Sequence, residues 1–142
     1  MADVGVVRKR VRLAIEQARR DQAERRGRAT EARNTYEQFL ESAAIPVFRM
    51  FANILKAESL PFEVMTPAGG VRLQSERHRD DAIEMELDTS ADPPLPLVTI
   101  TRVRGSRVVQ SDRFVKGPTP LVQLTEDDVI EMLLEELRPW LG

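Results

Sequence analysis

Apolar residues near the start of the chain fall at Val4, Val11, Ile15 and Ala18, and again at Ala29, Ala32, Tyr36, Phe39 and Ala43. Steps of three and four residues place them on one helical stripe. Val4 to about Ala43 contains no proline and is dominated by Ala, Arg, Glu and Gln, so the pattern predicts one long helix. The stripe fails in its middle, where Gln22 and Arg25 occupy it and Gly27 lies alongside. Glu16–Arg20, Asp21–Arg25 and Glu24–Arg28 each set an acid four residues before a base, which supports an exposed helix. The centre of this helix is therefore expected in water, with both ends touching something. Pro46 is expected to break or kink the helix, because its ring clashes with the carbonyl four residues back. A second helix, roughly Pro46 to Glu58, carries Val47, Phe48, Met50, Phe51, Ile54 and Leu55 around much of its circumference, as a core helix does.

After Pro61 the period changes to alternation. Phe62, Val64 and Thr66 share one strand face, as do Val71, Leu73 and Ser75, and then Ile83, Met85 and Leu87. Pairing Val64 with Leu73, Met85 with Leu73 and Glu86 with Arg72 gives three strands one apolar and one polar face, the second hairpin closing over His78-Arg79-Asp80. Pro93, Pro94 and Pro96 mark a loop. Leu97–Val103 and Val108–Val115 are the last two strands, joined by Gly105-Ser106 in a type II′ turn. Thr125 caps a closing helix with Glu126, Asp127 and Asp128 in its first turn and Val129, Ile130, Leu133, Leu134, Leu137, Trp140 and Leu141 as its apolar set. The expected fold is α+β: a long N-terminal helix and a second helix, a five-stranded antiparallel meander sheet, and a closing C-terminal helix. Residues 1–43 form a basic, partly exposed association element and residues 44–142 an α+β globular domain. A helix of some 40 residues is about 60 Å long, roughly twice the width of so small a domain. Part of it must project, or fold back at Gly27.

Charge sharpens this division. Residues 1–35 carry +5, residues 36–120 carry −2 and residues 121–142 carry −5. The front and the tail can attract each other, within or between chains. Cysteine is absent, which excludes a disulfide framework, a thiolate metal site and a cysteine nucleophile. No apolar run follows the bases at Arg8–Arg12 and none approaches the ~20 residues of a membrane span. A cytoplasmic setting is the expectation.

Candidate chemistry is sparse. His78 is the single histidine, and Glu76, His78 and Asp80 have ligand-like spacing but fall at a hairpin tip. Ser75 and His78, three apart in a strand, face opposite ways. Glu84, Glu86 and Asp88 form a carboxylate row on a polar face, with Arg72 as a partner. Pro67-Ala68-Gly69-Gly70 lacks the spacing of a phosphate loop. No catalytic, cofactor-binding or metal-ligating residue is expected. Two surfaces remain. Val4, Val7, Val11 and Ile15 form an apolar patch at the start of the first helix, flanked by Arg8, Lys9, Arg10 and Arg12. Arg102, Arg104, Arg107 and Arg113 cluster on one face of the last hairpin, either neutralised by Glu84, Glu86, Glu126 or Asp127 or offered to an anion. The expected function is a non-enzymatic interaction or assembly module that self-associates through the first helix, its partner being itself or another protein. The alternative is an anion- or nucleic-acid-binding protein using these arginines, though interleaved acids and the lack of a stacking set disfavour it. A third is a small-ligand sensor with a pocket between sheet and helices.

Overall fold

A computed structural model describes residues 2–142. Helix α1 runs Val4–Phe39, passes through a five-residue π-helical turn, Leu40–Ala44, and continues as α2, Ile45–Ala57. Asp3 caps its start, its Oδ1 accepting the Gly5 N–H at 2.9 Å. The helix does not end at Pro46, and of the two alternatives for its first part, projection and fold-back at Gly27, projection is the one observed. The helix crosses Gly27 without turning back. Pro46 sits in the first turn of α2, and the wider π turn just before it, in which the Ile45 N–H reaches the Leu40 carbonyl, takes up the hydrogen bond a proline cannot donate.

The sheet is β1 (Phe62–Met65), β2 (Gly70–Ser75), β3 (Ala82–Asp88), β4 (Leu95–Arg104) and β5 (Arg107–Phe114), all antiparallel and neighbours in chain order. A 3₁₀ turn, Leu121–Gln123, leads to α3, Glu126–Leu141. The expected α+β meander with its flanking helices is the observed fold.

Val64 pairs with Leu73 as expected, but β2 and β3 are offset by two residues from the expected register. Leu73 faces Ile83, Val71 faces Met85, and Arg72 faces Glu84 rather than Glu86. The loop explains the offset. Ser75 Oγ accepts the N–H groups of Arg77 (3.2 Å) and His78 (3.3 Å), and the Asp81 carbonyl accepts the Ser75 N–H (2.9 Å), which centres the turn one residue earlier. An even offset leaves every side chain on its predicted face. Strand β4 also starts earlier than expected, taking in Pro96 opposite Leu87. Strand β5 ends opposite Leu97, so Pro96 has no neighbour on that side and its missing N–H breaks no ladder there. Gly105 takes φ +63° between Arg104 and Arg107, the conformation a type II′ turn needs at its first position. Gly70 is required by packing: a Cβ there would stand 2.6 Å from the Met85 carbonyl oxygen.

Val71, Leu73, Ile83, Met85, Val98 and Ile100 are fully buried on one sheet face, beneath Phe48 of α2 and Val129, Met132, Leu133 and Leu137 of α3. Phe62 joins this core, and Val64 and Leu87 lie partly buried at its margin. Helix α1 contributes only its last turns. Ala29 and Ala32 are half-buried and Tyr36 and Phe39 buried, while Val4–Arg20 is exposed throughout. Burial pushes the Tyr36 hydroxyl well above its ordinary value, reinforced by Glu86 and then Glu84, and the hydroxyl donates to the Met85 carbonyl at 3.4 Å. No helix of the described residues is long and apolar enough to cross a membrane.

Candidate interaction surface

The apolar patch predicted at the N-terminus lies on a free helical arm. Val4 is 72 %, Val7 44 %, Val11 51 % and Ile15 45 % exposed, figures that leave none of them a partner within the chain. Val6 and Leu13 are also exposed, but helical spacing puts them on the opposite side of the arm, with Lys9 and Arg10 between them and the stripe. Arg8, Lys9, Arg10 and Arg12 are exposed and make no ion pair among the described residues. Of the three expected intrahelical pairs only Glu16–Arg20 closes, at 4.0 Å; Arg28 turns instead to Asp92 in the β3–β4 loop, at 3.8 Å.

A signal in the sequence extends this picture. From Val11 the positions Ile15, Ala18, Gln22, Arg25, Ala29, Ala32, Tyr36, Phe39 and Ala43 alternate steps of four and three without a slip. That is the 3.5-residue period of a helix made to lie along another helix. Arg12, Arg19, Arg26 and Arg33 flank it at intervals of seven. Half of the seam is met by the chain's own globule, and the other half is bare.

The hairpin arginines share one face, as expected, with Arg104 directly opposite Arg107. Two of them are already neutralised, though not by the acids the sequence suggested. Arg102 Nη2 donates to the Glu136 carbonyl (2.8 Å) and to Glu136 Oε2 (3.0 Å), with its guanidinium 5.2 Å from the Trp140 ring centroid. Trp140 in turn sets its edge against Phe62. Arg113 Nη1 donates to Glu135 Oε2 (2.7 Å) and Glu136 Oε1 (3.3 Å). Glu84 is engaged by Arg72 at 3.3 Å, and Asp128 by Lys116 at 3.4 Å. This network docks α3 on the last hairpin. It also engages Glu135 and Glu136 within the chain. Only Arg104 and Arg107 of the cluster stay without an ion pair among the described residues.

The other candidates separate. Glu76 pairs with Lys56 at 3.2 Å, Ser75 Oγ is spent on the turn, and no group of three His, Cys, Asp or Glu converges among the described residues. Asp88 Oδ1 accepts the hydroxyl and N–H of Ser90, which hold its carboxyl below the ordinary range. The space between sheet and helices is filled by fully buried side chains. A concavity of about 450 Å³ lies instead in an apolar groove between α2 and α3. Phe51, Ile54, Leu55 and Leu60 form one wall and Leu134 and Leu141 the other, with Glu58 at the rim.

Asp128 in the first turn of α3 and Glu135 in its second half give an acid-stability prediction. The bonds and charge of Arg113 hold Glu135 low. Burial pushes Asp128 up, but its bonds with Thr125 and the ammonium of Lys116 more than offset this and hold it low. A carboxyl depressed in the folded state contributes stability above its unfolded value, near 4, and loses it as pH falls through the folded value. Urea midpoints are expected to be level above about pH 5 and to fall below about pH 4. Asp128→Ala with Glu135→Gln should flatten that fall; a slope equal to wild type would show that these carboxyls do not carry it.

No protein-family model, no curated protein and no solved structure matches the chain.

Proposed function

We propose that the chain is a non-enzymatic assembly module that associates with further copies of itself through the N-terminal arm of α1. The observation that carries this is the exposed patch Val4, Val7, Val11 and Ile15 on a rod that leaves the globule about 25 residues before its tip. Burying a Val or Ile side chain is worth about 1.5–3 kcal/mol, so four such residues held in water constitute a sizeable unspent driving force. A capped helix also presents them on one face, which lowers the ordering cost a disordered tail incurs on binding. The charge asymmetry supports a like partner: the arm is basic, and Glu126, Asp127 and Glu131 of α3 make no ion pair among the described residues. Anion binding is the second reading. It rests on the arm bases with Arg104 and Arg107, since Arg102 and Arg113 are committed to Glu135 and Glu136.

Sedimentation of the full chain over a range of concentrations tests the reading. Wild type is expected to assemble by high micromolar concentration. Val11→Asp with Ile15→Asp is expected to weaken assembly at least 100-fold with the thermal midpoint of the sheet domain unchanged, because both residues lie outside the core. A wild type that is monomeric at high micromolar concentration would remove self-association.

A further inference from the structure

Resting on self-association through the arm, we infer that the receptor for each arm is the apolar groove between α2 and α3 of a second copy. Both surfaces are unpartnered within the chain. Ile54 is 54 %, Leu134 46 % and Leu141 47 % exposed, comparable to the arm residues they would meet. The two cannot meet within one molecule. Val11 and Ile54 lie on one continuous run of helix through the π turn, 43 residues apart by sequence, which is about 65 Å along the helix. The arm that fills a groove therefore comes from another molecule.

Charge selects the groove over a second arm. In a parallel pair of arms the flanking positions along the bare half of the seam would join Asp21 with Arg26 and Ala14 with Arg19, a single opposite-charge contact. In an antiparallel pair the rows Arg12, Arg19, Arg26 and Arg33 would face each other. The antiparallel arrangement sets arginine against arginine, and the parallel one gains one ion pair and leaves Arg8, Lys9, Arg10 and Arg12 without acids. The groove offers the opposite sign. Glu58 lines it, and Asp127 and Glu131 fall on the exposed flank of α3 beside Leu134, with Arg138 as the one base among them. Arg49 and Lys56 fall on the far side of α2 by helical spacing, and Lys56 is paired with Glu76. Val4, Val7, Val11 and Ile15 then act as helix-in-groove anchors, and Arg8 and Arg12 meet the acidic rim. Two arms exchanged reciprocally into two grooves make a closed two-fold dimer.

Ile54→Lys with Leu134→Lys places positive charge in the groove at two half-exposed positions, outside the core. Sedimentation of the full-length variant is expected to show assembly at least 100-fold weaker than wild type. A variant that assembles like wild type, while Val11→Asp with Ile15→Asp does not, overturns the groove but leaves arm-mediated association standing. Cysteine trapping gives a second measurement that does not depend on the lysines being tolerated, since the chain has no cysteine of its own. Val11→Cys protein mixed with Leu134→Cys protein and oxidised is expected to give the mixed disulfide dimer. Disulfides only between Val11→Cys chains would instead establish arm-to-arm pairing and overturn the groove. A monomeric wild type would remove both readings.

Discussion

Phe48→Ala is expected to cost about 3–5 kcal/mol of folding stability, the range for deleting a buried aromatic ring and leaving its cavity. Phe48 is fully buried on α2, in one cluster with Leu73, Met85, Leu133 and Leu137. Both layers of the fold close on this residue, so little nearby can collapse into the space without moving α2 off the sheet. A domain of this size has about 5–15 kcal/mol in total, and the loss is expected to lower the thermal midpoint by roughly 10–20 °C. Urea unfolding read by circular dichroism checks it. A cost under about 1 kcal/mol would show that the ring is not the centre of the core. The comparison with the arm is informative, because Val11→Asp with Ile15→Asp should show the reverse: assembly lost and the fold retained. Chain stability and chain association would then be carried by different stretches of one continuous helix.

The residues that made the fold legible are those whose alternation had only one consistent solution. Val71, Leu73, Ile83 and Met85 must share a face, and so they do, at full burial. What alternation does not carry is the bonding inside a loop. The Ser75 hydroxyl and the Asp81 backbone decide where the β2–β3 turn is centred, and they shift the pairing by an even number of residues that the pattern cannot detect. The helix break expected at Pro46 fails for a similar reason: a π turn five residues long absorbs the proline, and nothing in residue spacing announces it. On the surface, the exposed arm patch was readable because a stripe on a helix too long for its domain has to project. The acids that neutralise Arg102 and Arg113 were not, because they depend on how α3 lies across the last hairpin. The groove was hidden for the same reason. Leu134 and Leu141 look like core residues in the closing helix but are half-exposed, while Met132, outside the expected apolar set, is fully buried with Val129, Leu133 and Leu137. Only the placement of α3 beside α2 separates the inward face from the outward one.

Glu136 is the residue where that placement is held, and its removal is expected to have the second-largest effect. Its carboxylate lies between Arg102 and Arg113, and the side chains of Glu136 and Arg102 are each only 19 % exposed. Arg102 Nε is already buried without a partner. In Glu136→Ala the Arg102 guanidinium keeps the backbone carbonyl and the Trp140 ring, but two arginines then share a half-buried site with one exposed acid, Glu135. The expected cost is about 1–3 kcal/mol, below the 3–5 of a fully buried pair because solvent still reaches the site. Glu135→Ala, at a side chain 52 % exposed, is expected to cost much less than Glu136→Ala, because solvent screens an exposed pair. Replacing both partners, Arg102→Met with Glu136→Leu, should recover most of the loss, since no charge is then left uncompensated. A double-mutant cycle read by urea unfolding measures the coupling directly. Equal small costs for Glu135→Ala and Glu136→Ala would show that α3 is held by its apolar face alone. If the cost is as expected, Glu136→Ala should also weaken assembly, because the α3 segment it anchors, Leu134–Leu141, is the outer wall of the groove.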